Sequence, residues 1–332
     1  MLCLLCGRND ASHVLGVCVQ CIKDNFERAE PLIKKAHEIS RSRFGMPFYA
    51  PKEGVPCGLC TNECRIHEGD VGFCSVRKNV GGRIRNISEA AFVSAYYDPL
   101  PTNCVAMDFC EAKGECGKNL AVFYGACSFD CLFCQNWQFR LERNIMTPER
   151  LAEMADDKTR CICFFGGDPT PQIEHALATS RLAKKKICFE TNGSLNPKKM
   201  EIVAQTSFDS GGTIKIDLKA FDEKINYALC GVSNSNTLKN FKNLSSLSKK
   251  RKSFLVASTL LVPYYVEKEE VESIAKFISD LSPQIPYVLL AFSPHYLMTD
   301  LPPTSKKQAE ECLGIACEYL NNVRLGNSWL VC

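Results

Sequence analysis

The chain has 332 residues, 45% of them hydrophobic, and a net charge of +3 with Lys and Arg spread along its length. That is enough apolar residue to bury a large core in one big domain or two, which excludes disorder, and the scattered charge leaves no clustered basic footprint for nucleic acid. The runs Lys184–Lys186 and Lys249–Lys252 read as solvated ends of elements. No stretch approaches the ~18 apolar residues of a membrane span, and "MLCLLCGRND" has no basic segment ahead of an apolar core. The expectation is a cytoplasmic protein with neither a membrane nor a nucleic-acid partner.

The chain has 21 cysteines. Intracellular thiol buffers argue against a disulfide framework, so metal ligation is the stronger explanation for most of them. Cys161, Cys163, Cys188, Cys230, Cys312, Cys317 and Cys332 sit singly or on apolar strands and are read as small buried hydrophobes.

In chain order, "CLLCG" and "CVQC" form two CxxC knuckles from Cys3, Cys6, Cys18 and Cys21. They read as a closed tetrahedral site of zinc-ribbon or rubredoxin type, zinc being favoured over iron. Residues 24 to 44 read as a helix interrupted or begun near Pro31, a spacer that completes a first module of residues 1–45. Residues 46–119 form a cysteine-rich second region. There "CGLCTNECRIHEGDVGFC" supplies Cys57, Cys60, Cys64 and Cys74 for zinc or an auxiliary iron–sulfur cluster, with His67 read as a surface residue. Cys104, Cys110 and Cys116 follow, a set that needs a fourth ligand from elsewhere, or else buried free thiols. Residues 1 to about 120 otherwise look irregular, so metals are expected to supply cohesion.

From residue 120 to 332 the texture becomes α/β. The strands are "NLAVFYG", "CICFFGG", "KICFET", "TIKIDLK", "FLVASTLLV" and "YVLLAF", and helices begin near Pro148, Pro171, Pro197, Asp222, Glu267 and Thr304. Proline at a first helical position after Thr147 or Asn196 is a start signal, because its ring fixes φ and its missing donor is not needed there. Six βα units imply a parallel sheet curled into a partial (β/α)6 TIM-like barrel, with chemistry at the carboxyl ends of the strands. The cysteine loop, Gly166–Asp168, Glu190–Gly193, Asp217–Lys219 and Ser293–His295 all fall at that rim.

"CSFDCLFC" places Cys127, Cys131 and Cys134 at x3 and x2 spacing after a strand. Three thiolates can hold one face of a cubane iron–sulfur cluster and leave an iron open for a ligand. The competing readings are a zinc knuckle short of one ligand and a fully ligated electron-transfer cluster with a distant fourth cysteine, which makes the chain a non-enzymatic electron carrier or metal-organised binding protein.

The loop resembles the CxxxCx(aromatic)C signature of radical S-adenosylmethionine (SAM) enzymes, with Phe133 in the aromatic slot. Over about 120 to 328, "FFGGDPTPQ", "ETNG", "IDLKAF", "GVSNSNTL" and "LLAFSPH" are similar, in order, to motifs of the pyruvate formate-lyase activating enzyme group. The cysteine-rich front resembles that of the radical SAM proteins found with Memo- and AMMECR-type partners. The resemblance implies a 4Fe–4S cluster on Cys127, Cys131 and Cys134 that binds SAM, cleaves it reductively and yields a 5'-deoxyadenosyl radical for hydrogen abstraction. It implies that Gly166, Gly167 and Asp168 position the methionyl group. Glu190, Thr191, Asn192, Asp217 and Lys219 would contact cosubstrate or a monovalent cation, and His295 would lie near the cosubstrate. Asp168 and Glu190 each differ by one methylene from the residue usual in the group, and Ser258 stands where the activating enzymes carry an arginine. A low-potential donor such as ferredoxin or flavodoxin is implied; the substrate, whether protein, peptide or small molecule, is left open.

Overall fold

The structure is a computed structural model that describes residues 1–88, 90–100, 104–111 and 114–332. Its front carries α1 (Val19–Asp24), α2 (Phe26–Ser42) and two small antiparallel ladders, β1 (Val55–Pro56) with β2 (Arg65–Ile66) and β3 (Arg77–Val80) with β4 (Arg83–Asn86). The remaining strands form one sheet: β5 (Ala91–Pro99), β6 (Lys118–Tyr124), β7 (Ile145–Met146), β8 (Thr159–Phe165), β9 (Lys186–Thr191), β10 (Ile214–Asp217), β11 (Leu255–Leu261), β12 (Tyr287–Ala291) and β13 (Val323–Gly326).

That sheet has nine strands in the order β13-β12-β11-β10-β9-β8-β6-β5-β7. From β6 to β13 every pairing is parallel, while β5 and β7 add an antiparallel edge. The crossovers that parallel pairing requires are α3 (Pro148–Glu153), α4 (Ile173–Ala183), α5 (Pro197–Asp209), α6 (Glu223–Cys230), α7 (Ser235–Ser248), α8 (Lys268–Leu281) and α9 (Lys306–Tyr319). The sheet does not close on itself, so the architecture is a partial barrel. Among the described residues no helix is long and apolar enough to cross a membrane.

The start signals operate through satisfied donors. The Thr147 side chain accepts from the Arg150 amide, Asn196 from that of Lys198, and Asp222 from those of Lys224 and Ile225.

Four features differ from the sequence reading. The β5 strand lies inside the region expected to be irregular, and it pairs with β6 from Val93 to Pro99 and with β7 at Ala91 and Phe92. The crossover after β10 contains two helices, because Gly231 ends α6 in a left-handed conformation at φ +73° and the chain restarts at Ser235. Helix α2 is neither begun nor interrupted at Pro31, which sits on its exposed side, where the one bond it cannot make falls toward water. The helix is also more than a spacer: Ala29, Ile33, Ala36, His37, Ser40 and Arg41 recur at helical spacing and are all buried. Of the cysteines read as core, Cys317 and Cys332 are exposed, and Cys161 and Cys188 are half-buried.

Candidate active site

At the carboxyl ends of the strands the rim opens into a cavity of about 170 Å3. The loop after β6 brings Cys127, Cys131, Phe133 and Cys134 to it, the β8 end brings Gly166, Gly167 and Asp168, and β9 brings Glu190, Thr191 and Asn192. Asp217 ends β10 and Lys219 follows it, so twelve of the thirteen residues expected to hold the cluster or contact its cosubstrate meet in one place. His295 does not line the cavity; its Nδ1 lies 2.9 Å from the Ser293 carbonyl.

The two glycines have geometric reasons. Both have left-handed backbone, φ +67° at Gly166 and +59° at Gly167. A Cβ at Gly166 would collide with the Phe123 ring, and one at Gly167 with the Tyr124 carbonyl.

Asp168 is buried and surrounded by donors. Its Oδ1 accepts from Thr191 Oγ1 at 2.7 Å and the Asn192 amide at 3.2 Å. Its Oδ2 accepts from the Thr170 amide at 3.0 Å and faces Ser128 Oγ at 3.3 Å. Burial pushes its carboxyl above the usual range, against hydrogen bonds from Thr170, Thr191 and Asn192 that lower it. A carboxylate has about four acceptor positions, so these contacts occupy it fully. Asp168 therefore fastens the β8 end to the β9 end and to the cysteine loop.

Across the cavity, Lys219 Nζ donates to Asp217 Oδ2 at 2.7 Å, and Ser258 Oγ donates to Asp217 Oδ1. Burial pulls the Lys219 ammonium down, but Asp217 and the nearby thiols more than offset this. The hydroxyl of Ser258, which the resemblance set where an arginine is expected, thus binds the Asp217 carboxylate.

The cysteine loop is anchored from below. The last carbonyls of α6, which a helix end leaves without partners, accept from the loop: Asp130 N–H to Cys230 O at 2.8 Å and Leu132 N–H to Leu229 O at 3.0 Å. Asp130 lies fully buried between two of the cysteines. It accepts from Ser40 Oγ at 2.8 Å and Arg140 at 2.9 Å, with His37 Nδ1 at 2.9 Å and Arg41 at 3.9 Å. Burial pushes the Asp130 carboxyl up, yet His37, Arg140 and Arg41 hold it below the usual range. Sequence reasoning missed Asp130, Arg140 and the α2 face; the one available signal was polar residues at buried-helix spacing in α2.

The front cysteines divide by geometry. Cys3, Cys6, Cys18 and Cys21 have all their sulfurs within 4.8 Å of one another, with Cys6 to Cys18 at 3.8 Å. Tetrahedral zinc–thiolate bonds of about 2.3 Å place sulfurs roughly 3.8 Å apart, so this donor set fits a single ion. Cys57, Cys60, Cys64 and Cys74 line one small cavity but do not reach that closeness, as is also true of the rim trio. This second group abuts the site: Asn62 Nδ2 donates to the Ser128 carbonyl at 2.7 Å and lies 3.6 Å from Cys60 Sγ, and Arg41 bonds the Phe73 carbonyl. His67 is exposed beside Glu53, outside that cavity. Cys116 is exposed and does not line the cavity that Cys104 and Cys110 share.

Residues 121–278 match the radical SAM superfamily. An uncharacterized protein of Methanocaldococcus jannaschii is 28% identical over 82% of this chain and 81% of its own length. A second protein of that organism, provisionally named a glycyl-radical enzyme activating enzyme, is 27% identical over 61% of this chain and 86% of its own. Among solved structures, Streptococcus suis SuiB bound to precursor peptide SuiA matches with a TM-score of 0.49 at 20% identity, covering 60% of this chain and 46% of that one. A domain of pyruvate-formate lyase-activating enzyme from Bacteroides vulgatus matches with a TM-score of 0.41 at 20% identity, covering 50% of this chain and 98% of that one. The chain thus carries a radical SAM domain over residues 121–278, and the enzyme is similar to a protein provisionally named as an activator of glycyl-radical enzymes.

Proposed function

We propose that Cys127, Cys131 and Cys134 hold a 4Fe–4S cluster with one iron left to SAM, and that the enzyme takes a hydrogen atom from a protein or peptide at the rim. The observation that carries this is the cavity itself: three thiols from one loop face the ends of β8, β9 and β10, and no fourth cysteine lines it among the described residues. When bound, the cluster and SAM supply one-electron cleavage of a sulfonium and a carbon radical able to abstract hydrogen.

The protein's own residues bind, orient and exclude water. Lys219 and Arg140 face the thiols and offset the negative charge that ligation concentrates there. The turn at Gly166 and Gly167 brings backbone to the cavity wall, with Asp168 locking Thr191 and Asn192 behind it. Phe129, Phe139, Leu260 and Leu290 give the cavity its apolar walls. We assign no contact to His295. Residues 1–45 act as a zinc-stabilised module, residues 46–119 hold the second thiol group and lend β5 to the sheet, and residues 120–332 are the catalytic barrel. The relative named for glycyl-radical activation supports a polypeptide substrate, and the one-electron chemistry calls for a low-potential donor of the ferredoxin or flavodoxin class.

The test uses full-length protein purified without oxygen, reconstituted with iron and sulfide, and incubated with dithionite and SAM. Production of 5'-deoxyadenosine should fall to background in the Cys127→Ala, Cys131→Ala, Cys134→Ala triple variant; production that survives rules out the assignment. Deuterium moving into 5'-deoxyadenosine from a peptide pool labelled at Cα would support the polypeptide reading, and transfer from labelled metabolites alone would overturn it.

A further inference from the structure

The opposite, closed end of the barrel carries thiols that the rim does not use. Cys161 and Cys188 belong to the neighbouring parallel strands β8 and β9. Segment 104–111 packs beneath the sheet, where Ala106 is buried against Val256 and Val288. It brings Cys104 and Cys110 to the same cavity as Cys161 and Cys188, a space of about 40 Å3.

Lys215 makes ordinary core packing a poor account of this cluster. Its side chain is 1% exposed, and Nζ donates to Cys163 Sγ at 3.0 Å and to Cys104 Sγ at 3.8 Å. The Glu190 carboxylate lies 3.3 Å away, at the floor of the rim cavity. A buried ammonium is costly unless paired, and neutral thiols are weak acceptors. A thiolate-ligated centre carries net negative charge and would give this cation a counter-charge on the side away from Glu190.

We propose that Cys104, Cys110, Cys161 and Cys188 hold a second iron–sulfur cluster at the closed end of the barrel. The four thiols line one cavity, and a cluster whose metals are joined by bridging sulfides can take ligands from separate strands and a loop. Cys163, buried against Lys215 and outside the cavity lining, is not a ligand, nor is exposed Cys116. The first of the strand cysteines lies fifty residues beyond the segment, so no compact motif announces the set.

The test is made in the Cys127, Cys131 and Cys134 triple-alanine background, so that it does not depend on the rim. After anaerobic reconstitution, adding Cys104→Ala and Cys110→Ala should remove about two to four iron and as many sulfides per chain, while Cys116→Ala removes none. Unchanged iron and sulfide in a double variant that keeps its circular dichroism and melting temperature overturns the proposal, as does equal loss from Cys116→Ala. A measurement without those substitutions guards against misfolding. In reconstituted protein Cys104 and Cys110 should resist native alkylation, mapped by mass spectrometry, and become reactive once iron is stripped. Equal reactivity before and after stripping would also overturn it.

Discussion

The front knuckle and the rim loop use the same ligand to opposite ends. In the knuckle, four sulfurs converge within 4.8 Å and the module packs onto the barrel, where Tyr265 OH donates to the Val17 carbonyl and accepts from the Ser12 amide, both at 2.9 Å. At the rim, three sulfurs stand further apart beside a cavity of about 170 Å3. A closed donor set lends its binding energy to folding, whereas an incomplete one leaves a coordination position for a reactant. The rim must therefore draw its rigidity from elsewhere. It does so from α2 and the end of α6, through Asp130.

The sharpest way to break this comparison is to empty the knuckle. Structural zinc sites in small modules contribute apparent binding energies of about 10–16 kcal/mol. Cys21→Ser should release the metal and expose residues 1–22 to hydrogen exchange, with rim iron retained. Rim iron falling in step with the knuckle metal would mean that the two regions form one folding unit.

A smaller effect is expected at Asp130, the buried acid among His37, Arg41 and Arg140. Removing one partner of such a network leaves charge uncompensated and costs about 3–5 kcal/mol. Asp130→Ala should show that loss in denaturant unfolding and should make rim iron labile to chelators. A cost within about 0.5 kcal/mol, the range of surface substitutions, would deny the helix its anchoring role. Smaller again is Tyr265→Phe, which leaves the Ser12 amide and Val17 carbonyl buried without their partner. Melting should report about 1–3 kcal/mol, and no loss of iron.

Legibility follows the same division. The barrel strands and the rim residues could be read because β-strand runs, proline start signals and thiol spacing are local patterns. The β5 strand was hidden by its polar, aromatic alternation at a sheet edge, "AFVSAYYDP", set between cysteine clusters. His37 and Ser40 were unreadable because their partner, Asp130, is about ninety residues away. The gathering of Cys104 and Cys110 with Cys161 and Cys188 depends on how a loop crosses the barrel floor, which spacing does not encode. His295, which motif order put at the rim, does not line the cavity, and its Nδ1 lies 2.9 Å from the Ser293 carbonyl.

Cys230 tests whether the rim is open at all. It is a fully buried thiol at the end of α6, and Cys131 Sγ donates to its sulfur at 3.5 Å. As a fourth ligand it would close the rim like the knuckle and remove the position that a reactant needs. Its place argues otherwise: it lies behind Cys131 and is not among the residues lining the cavity. If Cys131 binds metal as a thiolate, the proton shared by the pair belongs to Cys230, which then donates to a ligand sulfur. Hydrogen bonds to ligand sulfurs raise cluster potentials. Cys230→Ala should therefore keep the rim iron, cost less than about 1.5 kcal/mol in stability, and move the midpoint potential to a more negative value in a redox titration followed by electron paramagnetic resonance. Loss of the rim iron in this variant would make Cys230 a ligand and the loop a closed, electron-carrying site.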